Sequence, residues 1–374
     1  MLWLSLLFFH GCVELTPSDP APDAASLPGN TSAGRTSGVG QLYVDVLDVG
    51  QGDAILLRSS EGKVALIDGG TGGEKLLAQL AEREIEHINL MIATHPHSDH
   101  IGGLDDVIEK YSVGMYVDSG DVHSTSTYSR LMRAVEDRSL RYQSAEVGDR
   151  FNLGRNVQIE ILGPQKPMVP EGGSRSYLNS NSVIARVTHG SNCFLLTGDA
   201  EADTEERMLA EGLSPCNVLK VAHHGGSHSS TAAWLQAVQP SIALISVGEG
   251  NTYGHPAKET LERLKAIGAD VYRTDTMGAI QVQSDGAQVS VPRRPALSIA
   301  TAPSPAPSVG DRININTASA EMLDELPGIG PSKAEAIIVR RQAEGAFSSC
   351  EELEQISGIG NKTVTQLLPN CTTR

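Results

Sequence analysis

Between residues 41 and 291, short apolar runs alternate with stretches of helical spacing. LYVDVLDV and AILLRS predict two paired strands around the Gly50-Gln51-Gly52 turn. VALIDGG predicts a strand ending in glycines, and EKLLAQLAERE places its leucines on one helical face. INLMIATH predicts a buried strand, and SVIARVTHG and NCFLLTGD predict a strand pair joined by a Gly turn. Next come the strand NVLKVAHHG, the helix TAAWLQAV, the strand IALISVG and the helix KETLERLKAIG, which ends in Gly. VYRTD and AIQVQSDGAQVSV close the block with a hairpin. The alternation predicts an α/β architecture with hairpins at both ends.

The flanks read differently. Residues 13–38 are Pro, Ser, Ala and Gly without apolar periodicity, the composition of a flexible tether. Residues 295–309 form a second Pro/Ala linker. The predicted folded blocks are therefore 39–294 and 310–374. The second is short and helical, with Gly-Ile-Gly at 328–330 and again at 358–360, an internal repeat of thirty residues. Ahead of everything, the segment 1–12 (MLWLSLLFFHGC) resembles the apolar region of a secretory signal, with Gly11-Cys12 like a lipoprotein cleavage site. No later run reaches the ~18 apolar residues of a membrane span. The expectation is an exported protein, either secreted or a cell-surface or periplasmic lipoprotein whose membrane contact is a lipid on Cys12.

Composition changes the picture in three places. The 374 residues are 40% hydrophobic, enough for a packed core and too apolar for a disordered chain. The formal charge of −16 argues against a basic nucleic-acid-binding surface. Of the 11 His, all but His10 fall between His87 and His255, which favours a metal site in the middle of the chain. If Cys12 carries lipid, Cys193, Cys216, Cys350 and Cys371 remain, an even number that suits two disulfides in an exported protein. Cys193 lies six residues before Asp199 and Cys216 seven before His223, so a 193–216 bridge fits if both strands run in parallel to one rim, and 350–371 would close the second block.

The candidate chemistry starts after INLMIAT. His95-Pro-His97-Ser-Asp99-His100 puts three imidazoles and a carboxylate within six residues at a strand end. Neutral imidazole and carboxylate are the ligands that borderline divalent ions take. FLLTGD stops at Asp199 and VLKVAHHG at His223-His224, so two more strands end in candidate ligands.

HxHxDH, a TGD strand and HHG together resemble the metallo-β-lactamase fold superfamily. LDVGQGDAILL, LIDGG, THPHSDHIGGL, NSVIARV, FLLTGDA, VLKVAHHGGS and YGHP more narrowly resemble the hydrolase domain of bacterial competence DNA-uptake channel proteins (the ComEC type). The resemblance implies an αβ/βα sandwich with a dinuclear edge site for two divalent metal ions, Zn²⁺ or Mn²⁺. His95 and His97 would hold the first ion, Asp99 and His100 the second, and Asp199 would bridge them. His223 or His224 would complete the second site; His223 is favoured, with His224 as a catalytic residue near the substrate. The superfamily's further His for the first ion is replaced by Asn179-Ser180-Asn181-Ser182, which opens that site. Asn181 and Ser182 would contact substrate or stay structural. Asp68 would orient the metal loop. His255, in Tyr253-Gly254-His255-Pro256, would hydrogen-bond phosphate or protonate the leaving oxygen. With Asp99 these form the expected catalytic set, and Lys220 receives no role. Paired divalent ions suit phosphodiester hydrolysis by activated water.

The second block resembles the tandem helix-hairpin-helix domain of competence DNA receptors (the ComEA type), through LDELPGIGPSKAEAI and GAFSSCEELEQISGIGNK. That implies a small all-α domain. Gly328, Gly330, Gly358 and Gly360 would let backbone amides approach a phosphodiester, with Ser332 at the following helix start and Lys333 and Lys362 adding charge. Its balance is −3, six basic against nine acidic residues, so binding would be weak and salt-dependent. The favoured reading is an exported metal-dependent phosphodiesterase, a DNase whose tail holds DNA nonspecifically, working with a separate membrane channel for uptake. The alternatives are a phosphorylcholine-type phosphodiesterase or β-lactamase, and a DNA receptor with an inactive hydrolase domain.

Overall fold

A computed structural model describes residues 40–292 except 175 and 252, and residues 312–373 except 319–322, 324–325, 327–328, 330 and 357. The signal-like segment 1–12, the tether 13–38 and the linker 295–309 lie outside the described residues, as do Gly328 and Gly330.

Two large sheets and one two-stranded pair, His87–Ile88 with Ser112–Val113, lie within residues 42–290. The first has eight strands, in the order Val289–Ser290, Ile280–Ser284, Leu42–Val46, Ile55–Ser59, Val64–Ile67, Leu90–Ile92, Met115–Asp118 and Arg141–Ser144. The second has seven: Asp270–Arg273, Ile242–Ile245, Val218–Lys220, Asn192–Leu196, Ile184–His189, Val157–Gly163 and Arg150–Asn152. Both predicted hairpins are present, Leu42–Val46 with Ile55–Ser59 and Ile280–Ser284 with Val289–Ser290. The strands that lead to the rim of interest are parallel to their neighbours: Leu90–Ile92 beside Val64–Ile67, and Val218–Lys220 beside Asn192–Leu196.

Three apolar layers hold this together. Between the sheets, Val44, Leu57, Ile67, Ile92 and Val117 meet Ile159, Val187, Phe194, Leu196 and Leu244. Outside the first sheet, the helices Gly73–Glu82, Leu104–Lys110 and Ser126–Asp137 bury Leu76, Leu80, Val107 and Leu131 against Leu56, Leu66 and Met91. Outside the second, Met208, Trp234, Leu235 and Leu264 from three helices cover Leu195, Leu219 and Ala243. Each such Leu or Val contributes roughly 1.5–3 kcal/mol. Strands covered on both faces are apolar throughout, as in VALI. Val157–Gly163, nearer an edge, instead alternates buried and half-buried positions. This is the αβ/βα sandwich that the sequence implied.

The stretch 104–163 gave the sequence reading no element, yet it supplies two helices and four strands of this framework. The second block packs its own small core, with Ile329, Ala334, Ile337, Leu353, Ile359 and Leu367 buried. It is helical, from Pro331–Glu344 and Asn361–Leu367, and its ends are tied by a two-residue strand pair, Ile313–Asn314 with Cys371–Thr372. Cys193 is joined to Cys216 and Cys350 to Cys371. Among the described residues, no helix is long and apolar enough to cross a membrane.

Candidate metal centre

Four loops converge at one rim. Asp68 follows Val64–Ile67, His95 to His100 follow Leu90–Ile92, Asp199 follows Asn192–Leu196, and His223-His224 follow Val218–Lys220. The Gly50-Gln51-Gly52 turn packs against the second of these. Asp53 N donates to Asp99 O at 3.1 Å, and a Cβ on Gly52 would stand 2.1 Å from that same oxygen. Only glycine fits there. Three left-handed non-glycine residues also cluster at the rim: Asp68 (φ 59°), His223 (φ 51°) and His224 (φ 52°). Each such position costs on the order of 1 kcal/mol and persists where surrounding contacts enforce it.

Asp99, His100, Asp199 and His224 are buried, and their ligand atoms all lie within 4.8 Å of one another. His100 Nε2 and His224 Nε2 stand 3.2 and 3.4 Å from Asp199 Oδ2, and His224 Nε2 is 3.2 Å from Asp99 Oδ2. Both rings are aimed from behind. His224 Nδ1 donates to the Ser246 carbonyl at 2.9 Å, which can only accept. Its Nε2 therefore faces the carboxylates. His100 Nδ1 lies 2.8 Å from Asp68 Oδ2, and Asp68 also accepts from Thr94 N and Oγ1 at 2.7 Å each. Asp68 thus lies behind the His95–His100 loop, bonded to Thr94 and to His100.

The donor set suits a divalent cation. Asp99 Oδ1, Asp199 Oδ1 and His100 Nε2 are buried without hydrogen-bond partners. Burial alone would lower the pKa of His100 and His224, yet Asp199, with Asp99 beside His100 and Asp53 beside His224, holds both well above the ordinary imidazole range. The cluster draws in positive charge. His95 goes the other way, pushed well down by burial and by His100 and His97. Its Nε2 is 3.0 Å from His97 Nδ1, a hydrogen-bond distance that also lets both nitrogens reach one ion. These two rings form a second, sparser donor pair.

The remaining candidates fall as follows. His223 stays outside the four-residue group: its Nε2 is 3.9 Å from Asp199 Oδ2 and its side chain is 23% exposed. It is His224, rather than the favoured His223, that the structure groups with Asp99, His100 and Asp199. Ser182 Oγ accepts from Asp199 N at 3.2 Å and sits 3.4 Å from His95 Nδ1. Asn181 is engaged elsewhere, accepting from Val169 N and donating to Val169 O at 2.9 Å each. His255 lies beside His223, ring centroids 5.6 Å apart. His189 is far down its strand against Ser284, while the ring of His123 lies 6.3 Å from that of His97.

Two residues escaped the sequence reading. Lys220 is fully buried, its Nζ in ion-pair contact with Asp53 Oδ2, 3.2 Å from Gly198 O and 3.8 Å from Asp199 Oδ1. Asp53 Oδ1 in turn lies 3.3 Å from His224 Nδ1. The available signal was a charge in the middle of the apolar run VLKVA, which no core accepts without a partner.

In the second block, Ile329 and Ile359, the middle residues of the two repeats, are buried as core anchors. Gly358 is left-handed (φ 88°), and a Cβ there would stand 3.8 Å from Lys333 Cε. Lys333 is thereby placed beside the second hairpin. Gly360 precedes the helix Asn361–Leu367, on which Lys362 is exposed, and Ser332 lies in the first turn of Pro331–Glu344.

A sandwich with His and Asp ligands gathered at one edge is the architecture of a metallohydrolase. Residues 47–249 match the metallo-beta-lactamase superfamily, and the chain belongs to it. Residues 308–372 match the helix-hairpin-helix motif. Among curated proteins, the chain is 28% identical over 260 residues to ComE operon protein 3 of Bacillus subtilis, covering 64% of this chain and 32% of that one. Its C-terminal part is 43% identical over 65 residues to ComE operon protein 1 of the same organism, 17% of this chain and 32% of that. It is also 34% identical over 82 residues to Exodeoxyribonuclease WalJ of Streptococcus pneumoniae, 21% of this chain and 30% of that. The chain thus spans about a third of the length of each of these relatives.

Proposed function

We propose that this chain is an exported, divalent-metal-dependent phosphodiesterase that cleaves DNA and holds it nonspecifically through residues 310–374. The observation that carries the reading is the joining, in one chain, of the Asp99/His100/Asp199/His224 cluster to a helix-hairpin-helix motif. The competence-named relatives and the exodeoxyribonuclease name support the same substrate. Two disulfides and competence relatives support export.

In this reading Asp99, His100, Asp199 and His224 would hold one ion and His95 and His97 a second. Divalent cations there supply Lewis acidity and lower the pKa of water. Asp68 and the Ser246 carbonyl hold the imidazoles in the ligating tautomer. Ser182 fixes the Asp199 backbone beside His95. His255, half-buried beside His223, would hydrogen-bond phosphate or hand a proton to the leaving oxygen. The amides at Gly328, Gly330, Gly358 and Gly360, with Ser332, Lys333 and Lys362, take the backbone of DNA, and a separate membrane channel carries it inward.

Purified protein incubated with single- and double-stranded DNA is expected to cut it with Mn²⁺ or Zn²⁺ and to stop with EDTA. Cleavage indifferent to EDTA, or no cleavage with any ion, would sink the proposal. Deleting 310–374, whose core is separate from those of the sandwich, should raise KM for DNA by about tenfold or more through lost effective concentration. KM for bis(p-nitrophenyl) phosphate should hold, and equal changes in both would refute tethering.

A further inference from the structure

The assignment of His224 to the metal cluster leaves His223 unexplained. Its backbone is left-handed, its amide donates to Gly198 O at 3.2 Å, and its carbonyl accepts from Gly226 N at 2.7 Å, which makes a tight turn. The ring faces a cavity of about 140 Å³, lined also by Ser227, His228, Tyr253 and His255. Gly226 makes the close approach possible, since a Cβ there would meet the His255 ring at 3.2 Å. Tyr253 stacks on His255, with centroids 5.9 Å apart and planes 20° apart. Three imidazoles, a hydroxyl and a phenol line this cavity. Two carboxylates stand behind His223, Glu201 Oε1 3.7 Å from its Nδ1 and Asp199 Oδ2 3.9 Å from its Nε2. The lining itself carries hydrogen-bond donors, and it suits a phosphate oxygen. Its inner end is His223, whose Nε2 is 3.9 Å from Asp199, so an occupant would adjoin the metal cluster without sharing it.

We propose that His223, with His228 and His255, forms a subsite for the phosphate next to the one being cleaved. The preferred substrate is then a strand carrying at least two phosphates. This inference rests on the phosphodiesterase reading and narrows it, because a small diester with one phosphate gains nothing from the cavity. Adjacent histidines thus have different duties: His224 holds metal and His223 holds substrate.

The test uses the full chain loaded with Mn²⁺. His223→Ala should keep the parent's metal content and melting temperature. It should raise KM for a trinucleotide by about tenfold or more, the loss of one hydrogen bond to a charged group. kcat/KM for bis(p-nitrophenyl) phosphate should stay within about twofold. His224→Ala should instead lose metal and both activities. Loss of metal in His223→Ala, or equal loss on the two substrates, would overturn the proposal. If the parent hydrolyses neither substrate, it is the phosphodiesterase reading that fails. Calorimetric titration with inorganic pyrophosphate then decides the subsite: binding weakened at least about tenfold in His223→Ala supports it, and equal binding refutes it.

Discussion

Asp199→Ala is expected to strip metal from the site and to lower DNA hydrolysis by about a thousandfold, the factor that ~4 kcal/mol of transition-state stabilisation represents. The size follows from where Asp199 stands. Its Oδ2 is the atom that both His100 and His224 face, at 3.2 and 3.4 Å, and its amide is pinned by Ser182. Removing it leaves Asp99 as the cluster's only carboxylate and separates the His95/His97 pair from the rest. Asp68→Asn, which only loosens the aim of His100, should cost about 10- to 100-fold in metal affinity. Metal content by atomic emission and rate at saturating metal separate the two. An Asp199→Ala protein with parental metal content and rate would contradict the assignment.

Lys220→Met should lower the stability of the sandwich by about 3–5 kcal/mol, because it strips the buried Asp53 carboxylate of its lysine partner. That corresponds to a fall of about 10 °C in melting temperature for a domain of this size. Asp53→Asn combined with Lys220→Met should recover most of the loss, since a buried pair replaced as a unit is often nearly neutral. Burial alone would lower the Lys220 pKa, but Asp53 and Asp199 raise it above the ordinary lysine value. With a raised folded-state pKa, the contribution is complete below the unfolded value and fades only as pH rises through the folded one. The difference between parent and Lys220→Met should therefore be flat across the neutral range. Thermal melts at several pH values check this, and a single variant as stable as the parent would show that Asp53 needs no partner.

These two residues mark how far the sequence could be read. His95, His97, Asp99, His100 and Asp199 were legible because they sit where apolar strands stop, and a strand end fixes which rim a side chain reaches. The choice between His223 and His224 was not. It depends on two successive left-handed residues in a tight turn, which reverse the direction an extended strand end would give. Lys220 and Asp53 are 167 positions apart and meet only because the two sheets face each other. Two of the strands missed within 104–163 have a related reason. Arg141–Ser144 and Arg150–Asn152 lie at sheet edges and carry no apolar run.

The donors of the metal cluster come from both sheets, Asp99 and His100 from the first and Asp199 and His224 from the second. An ion held among them is also a rivet across the sandwich. Free metal at a hundred times its dissociation constant would add about 2.7 kcal/mol to the folded state. The local supply of metal would then set the chain's lifetime against proteases as well as its rate.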